Sequence, residues 1–221
     1  MIDGIRFKVC GLTTLVDAEF ADRCGADYLG FILHRSSPRN LPLAAFRAMA
    51  PLLPPRKRVA VLVEPSAAEL QEAAEADFDR FQLHFRAELP LDRVRAWSTA
   101  LGPSRLVLAP RLPPETDVAP ELLPLAEAFL LDTFQPDAFG GSGRTGDWGK
   151  FARHRKAHPE KTWILSGGLN PENLGDALRE TDARFVDVNS GVEAAPGVKD
   201  HAKLKRFVVR LHEARAAGQA S

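Results

Sequence analysis

The chain has 221 residues, room for one large domain or two small ones. Its 29 basic and 29 acidic side chains cancel, which excludes a general attraction to nucleic acid or an anionic membrane, though a local basic cluster could still hold one phosphate. Two cysteines, Cys10 and Cys24, make neither a disulfide framework nor a metal-ligand spacing, so no metal site is expected. No apolar run approaches the roughly 18 residues of a membrane span, and Met1-Ile2-Asp3-Gly4 lacks the basic-then-apolar order of a signal peptide. A cytoplasmic location, with no membrane and no nucleic-acid partner, is the expectation.

Short apolar runs alternate with longer stretches of helical spacing. Arg6–Val9 is the first expected strand; Leu15–Cys24 is the first helix, with Val16, Phe20 and Ala21 on one face. Tyr28–Leu33 follows, then Pro42–Leu53 with Leu43, Phe46 and Met49 on one face. The third strand, Arg58–Val63, leads to Ser66–Glu75, where Ser66 and Glu69 have the spacing of a capping box. Arg80–Leu83 and Leu91–Thr99 make the fourth unit. Arg105–Ala109 precedes Pro113–Leu125, whose four prolines permit only a short or broken helix. Ala128–Leu131 with Trp148–Ala157, Thr162–Leu165 with Glu172–Glu180, and Phe185–Val188 with Lys199–Ala216 complete eight units. The tail from Ala214 to Ser221 is expected to fray.

Eight strand–helix units at this length predict an α/β fold, a single (β/α)8 TIM barrel domain spanning residues 1–221. An open doubly wound sheet usually has fewer strands and an early glycine-rich turn, whereas the glycines here cluster after the sixth, seventh and eighth strands. Strand alternation puts Lys8 and Cys10 on one face, Phe185, Asp187 and Asn189 on another, and likewise pairs Gln82 with His84 and Leu130 with Asp132. The first and eighth strands of a closed barrel are neighbours. A Lys8–Asp187 ion pair is therefore expected, because a buried lysine without a partner is costly. Polar groups from strands one, four, six and eight would then meet at the end where such barrels carry their chemistry.

Cys10 and Asp132 are the candidate reactive groups. Most buried cysteines are inert, but Cys10 ends a strand and Gly11 follows it. A free thiol has a pKa of about 8.5, so a nearby Lys8 would favour the thiolate, which can act as a general base. Cys24 merely continues the apolar face of its helix. Asp132 is either a turn cap or an acid. The loop Phe134–Gly146 after it holds Gly140-Gly141-Ser142-Gly143, which can bring backbone N–H groups to an anion or cover a ligand, or be a plain flexible turn. Ser166-Gly167-Gly168-Leu169-Asn170-Pro171 and Asn189-Ser190-Gly191-Val192-Glu193 follow strands seven and eight, where barrel enzymes often bind phosphate. In His34-Arg39, Arg39 either grips a carboxylate with its planar fork or is solvated. His84 is a site or wall residue; His154, His158, His201 and His212 are expected at the surface, and Trp97, Trp148 and Trp163 in packing roles.

Taken in order, these strings resemble the phosphoribosylanthranilate isomerase family over nearly the whole chain. The resemblance is carried by Lys8-Val9-Cys10-Gly11-Leu12-Thr13, Ser37-Pro38-Arg39, Gln82-Leu83-His84, Leu130-Leu131-Asp132-Thr133 and Gly140-Gly141-Ser142-Gly143-Arg144-Thr145. It continues through Leu165-Ser166-Gly167-Gly168-Leu169-Asn170-Pro171-Glu172-Asn173, Val186-Asp187-Val188, Ser190-Gly191-Val192-Glu193, Gly197 and Lys199-Asp200. It implies a cofactor-independent (β/α)8 isomerase that performs an Amadori rearrangement on a phosphorylated sugar amine, with Asp132 as general acid and Cys10 as general base. It further implies that Arg39 faces the anthranilate carboxylate, that His84 and Asp187 line the site, and that Gly141, Gly143, Gly167, Gly168, Ser190 and Gly191 hold the phosphate. Monomer and homodimer both remain open.

Three places depart from the family pattern: Phe85 replaces a usual Gly, Asn189 replaces a usual Ser, and the third strand ends Val61-Leu62-Val63-Glu64-Pro65. A large ring at 85 could narrow the mouth of the barrel or reshape the loop after the fourth strand. It supports a rival reading as a non-catalytic sugar-phosphate-binding barrel. A second rival is the related isomerase of a phosphoribosyl aminoimidazole, which typically ends its first strand in an aspartate; Cys10 argues against it.

Overall fold

All eight apolar runs become strands of one closed parallel barrel in the computed structural model, which describes residues 1–55, 57–132 and 147–219. The strands are β1 (Arg6–Val9), β2 (Tyr28–Ile32), β3 (Arg58–Val63), β4 (Arg80–Arg86), β5 (Leu106–Arg111), β6 (Ala128–Leu131), β7 (Thr162–Leu165) and β8 (Phe185–Val188). β8 closes directly onto β1, with Lys8 in register beside Asp187. The helices are α1 (Leu15–Arg23), α2 (Leu43–Met49), α3 (Ala67–Ala74), α4 (Leu91–Leu101), α5 (Trp148–Ala157), α6 (Leu174–Thr181) and α7 (His201–Gln219). Among the described residues no helix is long and apolar enough to cross a membrane.

Several boundaries move for identifiable reasons. β4 runs three residues past the expected Leu83, because its ladder with β5 continues through Phe85↔Pro110 to Arg86↔Arg111. The fifth unit has only a 3₁₀ segment, Pro120–Leu125, as its prolines required. The last helix starts after Lys199, not at it. Asp200 caps it, accepting from the N–H groups of Ala202 at 2.9 Å and Lys203 at 3.0 Å. Lys199 instead sits in a short antiparallel hairpin, β9 (Glu193–Ala195) with β10 (Val198–Lys199). On α1 the expected Ala21 is buried and Phe20 packs partly buried on the core, with Asp17 and Ala18 also buried; only Val16, 63% exposed, departs from the expected stripe. The Thr14 cap, which accepts from Asp17 N–H at 3.2 Å, sets that helical phase.

Alternation sorts the strand residues into two cores. The outward set, with Phe31 and Phe81, packs against the helices, where Phe46 of α2 and Phe78, just before β4, stack on each other at 3.8 Å. Phe85 belongs to this outer set: it is buried edge-on against Trp97 of α4 at 5.8 Å, so it does not narrow the mouth. His154 is also inside, not at the surface; it stacks on Trp163 at 5.2 Å and pairs with Asp117 at 3.1 Å. The inward set fills the barrel. Tyr28 stacks on Phe185 at 5.4 Å, and Arg6 and Arg80 lie over those rings at 4.9 and 5.4 Å. Val107, Ala109, Ala128, Leu130 and Ile164 fill the space beside them. The polar layer of Lys8, Gln82 and Asp187 is also buried inside.

Lys8 Nζ lies 2.8 Å from Asp187 Oδ2 and donates to Gln82 Oε1 at 2.9 Å, with both charged side chains at most 5% exposed. The expected ion pair is thus present at the barrel seam. Lys8→Met should destabilise the protein by about 3–5 kcal/mol in urea unfolding, because it strands a buried carboxylate. Lys8→Met combined with Asp187→Leu should recover most of that loss. A double variant no more stable than the single one would refute the assignment.

Candidate active site

Each candidate side chain is delivered by the exit of a strand. Cys10 follows β1, His84 lies on β4, Asp132 follows β6, and Asp187 lies on β8; all four line one cavity at the C-terminal ends of the strands. Gln82, His34, Ser37, Arg39, Gly167, Gly168, Asn189 and Ser190 complete much of its wall. Gly141 and Gly143 lie outside the described residues. Gly191 does not line the cavity. It packs against the β7 loop so closely that a Cβ there would lie 1.9 Å from the Leu169 carbonyl oxygen.

The floor is a hydrogen-bonded chain. Lys8 donates to Gln82 Oε1, which turns the other end of that amide, Nε2, toward His84 Nε2 at 2.8 Å. Gln82 therefore donates to His84 Nε2, and the neutral imidazole carries its proton on Nδ1. Burial, with the charges of Lys8 and His34, lowers the His84 pKa to about 3. Burial also opposes the charge of Lys8, but Asp187 and Cys10 outweigh it and hold the Lys8 pKa above its ordinary value. Burial raises the Asp187 pKa and Lys8 pulls it back; with a charged lysine at 2.8 Å, we take the pair as ionic. Asp187 Oδ1 is buried and has no partner among the described residues, leaving one unsatisfied acceptor beside the cavity.

Burial outweighs Lys8, which favours the Cys10 thiolate as expected. Burial raises the Cys10 pKa more than Lys8 and Lys199 lower it, so Cys10 is a thiol at neutral pH. Its position depends on Gly30 of β2. An added Cβ at Gly30 would lie 2.8 Å from Lys8 Cε and 3.0 Å from Cys10 Sγ, so only glycine leaves space for both.

The rim is built by the loop after β2. Ser37 Oγ accepts from Arg39 N–H at 3.1 Å, and Ser37 N–H donates to the His34 carbonyl at 2.9 Å. Arg39 is buried, not solvated, and its Nε and Nη2 donate to Glu193 at 2.7–3.1 Å. Opposite, Asn170 and Asn173 donate through their Nδ2 groups to the Gly168 carbonyl at 3.2 and 2.9 Å, which fixes the β7 loop. Glu193 and Lys199 were part of the motif string in the sequence, but nothing in their spacing marked them as partners of Arg39.

Two measurements check this geometry. The His84 imidazole resonances should stay flat across neutral pH and titrate only near pH 3. An unfolded imidazole titrates near 6.5, so this contribution to stability is complete above that pH and is lost as pH falls. Gly30→Ala should lower stability by about 1–3 kcal/mol through overpacking and reduce turnover by displacing Cys10. Wild-type behaviour in that variant would mean the two side chains are not packed as described.

Comparison with known proteins agrees with this architecture. The family model described as N-(5'-phosphoribosyl)anthranilate (PRA) isomerase matches residues 7–210. The N-(5'-phosphoribosyl)anthranilate isomerase of Cellvibrio japonicus is 36% identical over 216 residues, covering 96% of this chain and 95% of its own. The crystal structure of phosphoribosyl anthranilate isomerase from Thermus thermophilus superposes with a TM-score of 0.78 at 34% identity, covering 95% of this chain and 99% of that one. A further isomerase structure, in complex with reduced 1-(o-carboxyphenylamino)-1-deoxyribulose 5-phosphate, superposes at 0.72 with 32% identity, covering 95% and 99% of the two chains. With its eight-stranded barrel and matches that run almost end to end, the chain belongs to the phosphoribosylanthranilate isomerase family.

Proposed function

We propose that this protein is a cytoplasmic isomerase of tryptophan biosynthesis. It converts N-(5-phosphoribosyl)anthranilate into 1-(2-carboxyphenylamino)-1-deoxyribulose 5-phosphate. The observation that carries this reading is that Cys10 and Asp132, 122 positions apart by subtraction of their numbers, line one cavity with Arg39 and the loops after β7 and β8. The wall thus has an acid, a base, a carboxylate-binding cation and glycine-rich loops suited to an anion.

Asp132 gives a proton to the furanose ring oxygen as the bond from C1 to that oxygen breaks. The nitrogen lone pair forms an iminium at C1. Cys10, as thiolate, takes the proton from C2, and the C–H electrons move to make the enolamine. Protonation at C1 and loss of the C2 hydroxyl proton then yield the ketone. Lys8 beside Cys10 favours the thiolate, and the iminium adds a second positive charge when the base is needed. Arg39 keeps one edge of its guanidinium for the anthranilate carboxylate. Asp187 Oδ1 suits a sugar hydroxyl. Gly167, Gly168 and Ser190 take the phosphate, Gly191 allows the loops after β7 and β8 to touch, and the family resemblance assigns Gly141 and Gly143, which lie outside the described residues, to the same group.

Cys10→Ala and Asp132→Asn should each fold normally and lower kcat by about 10²–10⁴. For the wild type, kcat/KM should rise with pH as the thiolate fraction grows. Arg39→Ala should act mainly on KM. Loss of substrate fluorescence is the assay; full turnover by Cys10→Ala would reject the mechanism, and no turnover by intact protein would reject the function.

A further inference from the structure

Arg39 and Lys199 share a single carboxylate. Glu193 Oε1 accepts from Arg39 Nε at 2.9 Å and from Lys199 Nζ at 2.9 Å, while Oε2 accepts from Arg39 Nη2 at 2.7 Å. The Gly197 N–H adds a bond of 3.2 Å to Oε1. Lys199 is fully enclosed: its side chain is 0% exposed, and its remaining contacts are Asn189 Oδ1 at 2.9 Å and the Asn189 carbonyl at 3.4 Å. All its donors are occupied inside the protein, and it does not line the cavity. It holds Glu193 and Asn189 in place rather than meeting a ligand.

The bonds to Glu193 use the Nε–Nη2 edge of the Arg39 fork. Nη1 makes no hydrogen bond among the described residues, and Arg39 lines the cavity. One carboxylate between two cations also leaves the cluster with an excess positive charge, which suits an anionic ligand group. Glu193 and Lys199 come from facing positions of the β9–β10 hairpin, a rigid base for a long flexible side chain from another loop. A fork immobilised before binding loses less entropy when it grips a planar carboxylate.

We propose that Glu193, held by Lys199, is a positioning residue that aims the free end of Arg39 at the aryl carboxylate, and that this clamp sets the preference for carboxylated over uncarboxylated aryl amines. The proposal rests on the reading that Arg39 takes the carboxylate, so the test separates the two. Wild type, Glu193→Gln, Arg39→Ala and the double variant are titrated with two probes: reduced 1-(o-carboxyphenylamino)-1-deoxyribulose 5-phosphate and its phenyl analogue without the carboxyl group. Glu193→Gln should weaken the carboxylated probe about 10–100-fold and leave the phenyl probe within about threefold, with KM raised and kcat nearly unchanged. Arg39→Ala should abolish the preference, and Glu193→Gln added to it should cost little more.

Equal weakening of both probes in Glu193→Gln, or no weakening, would overturn the clamp while an Arg39→Ala effect left the carboxylate reading standing. A preference that survives Arg39→Ala would remove that reading and the clamp with it. If Glu193→Gln does not fold, Glu193→Asp keeps the charge but shortens the reach. It should show a smaller loss confined to the carboxylated probe, and an undiminished preference in that variant would equally overturn the proposal.

Discussion

A lysine ammonium closed inside a protein needs a counter-charge, and in this barrel the need is met across the seam where the last strand meets the first. Lys8 and Asp187 are register partners, 2.8 Å apart at their charged ends. Isolated, either charge would be expelled or neutralised; together they tie the two ends of the barrel sequence at one level. Because Lys8 donates to Gln82, that amide can turn only one way, and the His84 tautomer follows. The same ammonium lies beside Cys10 and is the largest influence opposing the burial that keeps it a thiol.

Two charged groupings therefore flank the cavity, and they differ in net charge. The floor, Lys8 with Asp187, is neutral overall. The rim, Arg39 and Lys199 around Glu193, carries an excess positive charge. Burial opposes the ionised form of Glu193, but its bonds to Arg39 and Lys199 outweigh that and hold its pKa below the usual carboxylate value. An anionic substrate meets attraction at the rim and a fixed hydrogen-bonding pattern beneath it. Cys10 feels both groupings, since Lys8 and Lys199 each favour its thiolate. The aromatic bulk that might have closed the opening lies elsewhere: Phe85 is on the outer face, packed on Trp97, so the cavity between Cys10 and Asp132 is not plugged by it.

Much of this was legible in one dimension. A strand has a two-residue repeat, so Lys8 with Cys10, Gln82 with His84, and Phe185 with Asp187 could be put on common faces directly from the text of the chain. Eight alternating units implied closure, and closure implied the Lys8–Asp187 pair. The motif strings located Cys10, Asp132 and Arg39. Even the weak fifth helix was visible in its prolines.

Other features depended on contacts between distant segments, which no local pattern encodes. Whether Phe85 faced the mouth or the helices depended on how far β4 stayed paired with β5. His154 was amphipathic by spacing, yet Trp163 and Asp117 enclose it. The Cys10 proton is decided by a balance between desolvation and two lysines from opposite ends of the chain. Lys199 looked like the start of a helix until Asp200 took the cap and a hairpin carried the lysine under the rim. The sequence by itself determined the periodicities, and with them the barrel and the inward faces. Only the tertiary structure decided charge states and partners, because these depend on depth and on which remote groups share a few ångströms.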